Sequence, residues 1–137
     1  MPIITPLSRR KPDVYADFHK DLSLHPVSFD LARRLDEQSI RESIRNLVLT
    51  NRGERPFQPN LGCDLRNLLF ENMGPEISVV AKDLIKTVIE NYEPRCNLLD
   101  VEVRQLFDEG ALDITIVFNV INIEEPITLN IILDRVR

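Results

Sequence analysis

The 137-residue sequence predicts an α+β domain behind an extended N-terminal arm, and three observations predict it. Apolar residues recur at helical spacing through the middle of the chain, and the period changes to two after Pro94. The first 35 residues sustain neither pattern and are broken by Pro2, Pro6, Pro12 and Pro26. These patterns divide the chain into an extended arm over 1–35 and one α+β domain over 36–137. That domain comprises about three helices followed by a three-stranded antiparallel meander packed on the longest helix.

In the arm, Val14, Tyr15 and Phe18 are too sparse for an independent core, so Tyr15 and Phe18 are expected to anchor it on the domain or on a partner. Regular structure is expected from Asp36 or Ser39. Ser39 and Glu42 have capping-box spacing, and Ile40, Ile44, Leu47 and Val48 share a helical face, with Arg41 and Arg45 at its edge as a basic stripe. Gly53 stops this helix.

The stretch from Gly53 to Gly62 holds Pro56 and Pro59 and reads as an extended loop. It either docks on a partner or plugs the core under the first helix; the second reading is preferred, with Phe57 and Phe70 buried and Arg52 and Arg55 outside. A short helix follows from Asp64 to about Asn72, closed by Gly74-Pro75. From Glu76 to Asn91 a wide stripe (Ile77, Val80, Ala81, Leu84, Ile85, Val88, Ile89) predicts the main core helix, which Pro94 ends at Glu93.

Beyond it, Leu99, Val101 and Val103 alternate with Asp100, Glu102 and Arg104. Leu112 to Val120 and Ile127 to Leu133 repeat the alternation after turns at Asp108-Glu109-Gly110 and Glu124-Glu125-Pro126. A three-stranded meander has two open edges, each either covered or used for assembly.

The formal charge of −5 argues against a protein that neutralises nucleic-acid phosphates. Residues 1–55 hold 10 Lys/Arg against 8 Asp/Glu and residues 56–137 hold 7 against 14, an asymmetry that suits head-to-tail packing or simply a solvated surface. Cys63 and Cys96 build neither a disulfide framework nor a zinc site and suit a reducing site of folding. No apolar run approaches the roughly 20 residues that span a bilayer, and no signal-peptide core opens the sequence. His19 and His25 lack metal-ligand spacing. Glu71, Glu76, Glu93 and Asp100 are the carboxylates a glycosidase pair would draw on. With no Trp and 2 Tyr for sugar platforms, no nucleophile elbow and no phosphate-cradling glycine loop, no enzyme, cofactor or metal site is expected.

Two segments carry a resemblance. The run from Asn51 to Leu65, N-R-G-E-R-P-F-Q-P-N-L-G-C-D-L, continues to Leu69-Phe70-Glu71-Asn72-Met73, and Tyr92 is followed by Glu93-Pro94-Arg95. In this order they resemble the baseplate wedge subunit of contractile phage tails, the sheath-initiator type. Its relatives include a baseplate subunit of the type VI secretion system and have often carried a lysozyme-like label.

The resemblance extends from about Tyr15 through the last strand. It implies a fold like the sheath protein's assembly domain, sixfold placement around the tail, and residence in the virion baseplate after assembly in the host cytoplasm. The implied partners are the other wedge proteins, through their helical core bundle, the tail sheath protein, and the tube or hub, with no nucleic acid and no membrane. Partner-binding residues on this reading are Glu93, Pro94 and Arg95 at the core bundle, Arg52 and Arg55 on the loop, and Leu129, Ile131 and Leu133 on a strand that takes up the first sheath ring. The weaker alternatives are a lysozyme-like glycoside hydrolase acting on peptidoglycan and a generic cytoplasmic adaptor.

Overall fold

The computed structural model describes residues 15–71, 74–121 and 123–135. The chain forms two units divided between Ser39 and Ile40. Arm residues 1–14 and Asn72 and Met73 of the first family segment lie outside the described residues.

In the first unit, β1 (Ala16–Phe18) pairs antiparallel with β2 (Arg33–Leu35), so regular structure precedes the point at which the sequence placed it. Backbone bonds rather than buried side chains hold this hairpin. Asp36 N–H donates to the Tyr15 carbonyl (2.8 Å) and Tyr15 N–H to Asp36 Oδ1 (3.0 Å). The amides of Val27 and Ser28 donate to His25 Nδ1, each at 3.3 Å, and Arg34 reaches His19 Nε2 at 2.9 Å. Both histidines are thus engaged in shaping the hairpin. Phe18 remains largely exposed, so it does not anchor the segment in a core. Helix α1 (Asp36–Leu49) starts at Asp36, the earlier of the two expected starts, so Ser39 lies inside the helix rather than at its cap, and its hydroxyl binds the Asp17 carboxylate.

The second unit is two-layered. α1, α2 (Leu65–Phe70) and α3 (Pro75–Tyr92) face a sheet of β3 (Cys96–Leu106), β4 (Ala111–Val120) and β5 (Ile127–Asp134) in the order β3-β4-β5, antiparallel throughout. The expected α+β meander is therefore present. Pro75 opens α3 after Gly74, and the helix buries Ile77, Ala81, Ile85, Val88 and Ile89 at helical spacing. Val80, expected on that stripe, is exposed. Beneath the helices lie Ile114, Ile116 and Phe118 of β4, which are fully buried, and Leu129, Ile131 and Leu133 of β5.

β3 departs from simple alternation. Its pairing with β4 slips between Leu98 and Asp100, and the extra residue, Leu99, is exposed while Val101 regains the core. A bulge exchanges the faces of the residues before and after it, which is why Leu99 does not share the buried face of Val101.

The loop from Thr50 to Asp64 is held by its own backbone. Cys63 N–H donates to the Thr50 carbonyl (2.8 Å), Gly53 N–H to the Pro59 carbonyl (2.8 Å), and Arg52 N–H to Asp64 Oδ1 (3.1 Å). Gly62 closes it at φ +120, and a Cβ there would lie 2.4 Å from the Thr50 carbonyl oxygen. Gly62→Ala is accordingly expected to destabilise the protein by about 2–3 kcal/mol. Gly53→Ala, at φ +80 with nothing within 4 Å, should cost about 1 kcal/mol. Urea unfolding of the two variants checks the difference.

Candidate partner-binding site

The Glu93-Pro94-Arg95 corner joins α3 to β3. Pro94 cannot extend the helix, and Glu93 N–H makes the last helical bond, to the Ile89 carbonyl at 2.9 Å. Beyond the corner the Arg95 carbonyl accepts from Ile121 N–H (3.0 Å), fixing the entry into the sheet.

The two charged side chains meet in a two-point pair, Arg95 Nε to Glu93 Oε1 at 2.7 Å and Nη2 to Oε2 at 2.9 Å. Glu93 is only 2% exposed, while the Arg95 side chain is 25% exposed. Glu93, which the resemblance sets among the partner-binding residues, instead turns its carboxylate inward, where its oxygens are taken up internally. Burial pushes the Glu93 carboxyl upwards. Hydrogen bonds from Arg95 and Ser43, with the guanidinium charge, outweigh burial and hold it below the usual carboxylate range.

Tyr92 hydroxyl donates to the Asn60 carbonyl at 3.1 Å, which brings the corner beside the proline loop, so the two sequence segments share one region of the surface. In that loop Arg52 and Arg55 are exposed, as expected. Phe57 is 97% exposed rather than buried, and Phe70 is also largely outside. Phe57 stays out while the loop closes through backbone bonds around Gly53, Pro59 and Gly62, which hold it without a buried ring. Phe70 sits at the end of α2 with the Arg135 guanidinium 5.2 Å from its ring centre.

At β5 the named residues Leu129, Ile131 and Leu133 all face the protein's own core. The strand's outer edge belongs to the alternate residues. Arg135 N–H donates to the Gly110 carbonyl at 3.3 Å, and antiparallel rungs alternate. With the register Ala111 to Asp134, Ile114 to Ile131 and Val117 to Thr128, the backbone groups of Thr128, Asn130, Ile132 and Asp134 point away from β4. Arg41 Nη2 donates to the Thr128 carbonyl at 2.7 Å. Period-two alternation already separated this set from the core set, so the signal for Asn130 and Ile132 was present. The hydrogen bond from Ser43 to Glu93 had no local signal.

Among the described residues Glu93 is the one buried carboxylate, and its lowered pKa is the reverse of what a general acid needs. No three His, Cys, Asp or Glu side chains of the described residues gather as a metal set, and no described helix is long and apolar enough to cross a membrane.

Residues 34–124 match the family model described as baseplate wedge protein gp25. A relative in Enterobacteria phage T4, the baseplate wedge protein gp25, is 37% identical over 111 residues, 81% of this chain and 77% of that one. The chain belongs to the baseplate wedge protein gp25 family. Its role is structural, that of a wedge component of a contractile-tail baseplate.

Solved structures agree with the family's fold. A chain described as a tail lysozyme from Geobacter sulfurreducens superposes with a TM-score of 0.67 at 28% identity, covering 74% of this chain and 92% of that one. A chain of the sixfold-symmetrised anti-feeding prophage baseplate gives 0.62 at 18% identity, covering 90% and 87%. One from the type VI secretion baseplate complex gives 0.56 at 15% identity, covering 70% and 92%. At these last two identities the likeness is one of fold.

Proposed function

We propose that the gp25-family domain docks on the helical core bundle of its wedge and offers the outer edge of β5 to the first ring of tail sheath, one copy in each of six wedges. The single observation that supports the sheath platform most is the outward row of β5, where Asn130, Ile132 and Asp134 carry backbone groups with no partner among the described residues. An edge of this kind accepts an added strand through main-chain bonds.

Docking on the bundle falls to the surface shared by the corner and the loop. Arg95, Pro94, Arg52 and Arg55 provide guanidinium groups and a rigid turn, with Glu93 holding Arg95 in position, and Phe57 adds an apolar anchor beside them. Leu129, Ile131 and Leu133 serve the sheath contact indirectly, by pinning β5 to the core. Residues 1–35 act as an accessory arm of the wedge domain at 36–137. The protein works without catalysis or cofactor, inside a virion baseplate assembled in the host cytoplasm, with tube or hub proteins as further neighbours.

Amide hydrogen exchange on the full chain, with and without the sheath protein of the same tail, tests this reading. Protection gained at Asn130 and Ile132 on adding sheath is the expected result. Exchange at those amides that sheath leaves untouched, despite binding, would overturn strand addition.

A further inference from the structure

The outer edge of β5 is flanked by a basic wall. α1 runs beside it: Arg41 reaches the Thr128 carbonyl near one end, and Leu49, two turns further along, lines a recess with Ile132 and Leu133 near the other. Arg45 stands one turn from each of Arg41 and Leu49 and so lies on the same helix face. Arg66 and Arg135 border the recess, which has a volume of about 340 Å³ and an apolar floor that includes Leu69. Among the described residues that line it, the one acidic residue is Asp134. Among the described residues Arg45 and Arg66 take part in no ion pair.

We propose that this groove receives an extended acidic segment of a partner protein, which adds as a fourth strand beside β5 and sets an apolar side chain into the recess. The proposal rests on the platform reading above and adds the chemistry of the strand that is accepted. Arg41 already occupies the Thr128 carbonyl, so the ladder available to a newcomer runs from Asn130 to Asp134. Alternate side chains of an added strand face the helical layer, where they meet the arginines and the leucine floor. Carboxylates there are attracted by the guanidinium groups of Arg45, Arg66 and Arg135. Lysines would face repulsion in the same place.

The test uses the full chain and two synthetic peptides of about ten residues, one alternating Val with Glu and one alternating Val with Lys, followed by fluorescence anisotropy at low and physiological salt. The acidic peptide is expected to bind about tenfold or more tightly than the basic one, with a margin that narrows as salt rises. The double variant Arg45→Glu, Arg66→Glu should reverse the preference. Ile132→Pro, which removes one outward N–H, should lose both peptides while circular dichroism stays unchanged.

Equal binding of the two peptides, lost in Ile132→Pro, would leave strand addition standing and overturn the acidic preference. Acidic-peptide binding that survives Ile132→Pro would move the site off the edge and overturn both. Absence of binding by both peptides would overturn the groove as a receptor. Self-association of the chain in ultracentrifugation, abolished by Ile132→Pro, would give the edge to a second copy and overturn it as well.

Discussion

Arg95→Ala is expected to destabilise the protein by about 3 kcal/mol, because it strands the Glu93 carboxylate in a nearly closed site with Ser43 as the remaining side-chain donor. Glu93→Ala should cost less, since the guanidinium it releases is already a quarter exposed and can turn to water. The double variant should recover part of the loss, and a double-mutant cycle by urea unfolding measures the coupling.

The pH dependence separates the variants further. In the wild type Glu93 has a lowered folded pKa. Its contribution is therefore present above the unfolded value of about 4.3 and is lost as pH falls through the lower folded value. With Arg95 removed, burial remains as the main influence and raises the carboxyl, so the sign reverses and acidification relieves the variant. The deficit of Arg95→Ala should then shrink as pH drops from 7 towards 4, whereas a deficit that is constant with pH would show that the pair is not its cause.

Ile132→Pro is expected to leave a folded, baseplate-incorporated protein on which sheath does not assemble, a near-complete loss of sheathed tails. Ile132 is 62% exposed, its side chain lies on the outer face of the sheet and its N–H points away from β4, a setting in which an edge strand tolerates proline. Deleting the strand would be a poorer test, because Leu129, Ile131 and Leu133 belong to the core and their loss would unfold the domain. Negative-stain counts of sheathed and unsheathed tails, with Thr115→Val on the sheet's outer face as a control, check the result. Normal sheath on Ile132→Pro tails would remove β5 from the attachment.

The parts of this fold that were legible in the sequence are those in which burial follows a period. α3 needs a continuous stripe and a proline at each end, and β4 and β5 alternate without interruption, so Ile77 to Ile89 and Leu112 to Leu133 were assigned correctly apart from Val80 at the margin. Where geometry comes from pairing, the pattern misleads. Leu99 looked inward because the slip against β4 depends on the partner strand, and the hairpin of β1 and β2 is built from backbone and histidine bonds that leave no apolar period.

The candidate surface was legible as motif and not as geometry. Hydrophobicity placed Phe57 inside, although a loop closed by its own carbonyls has no use for the ring in the core. The resemblance set Glu93 among the partner-binding residues, although an adjacent guanidinium and the distant Ser43 make its burial tolerable. The family segments, in contrast, were found by resemblance, and the bond from Tyr92 to Asn60 explains physically why two stretches so far apart in sequence belong to one surface.

The most direct measurement is cryo-EM of intact tails containing the wild-type chain. Density for this domain is expected between the wedge core bundle and the first sheath ring, with the corner at Arg95 against the bundle and a sheath strand lying along Asn130 to Asp134. A domain placed elsewhere in the baseplate, or one whose β5 edge faces solvent in sheathed tails, would contradict that expectation.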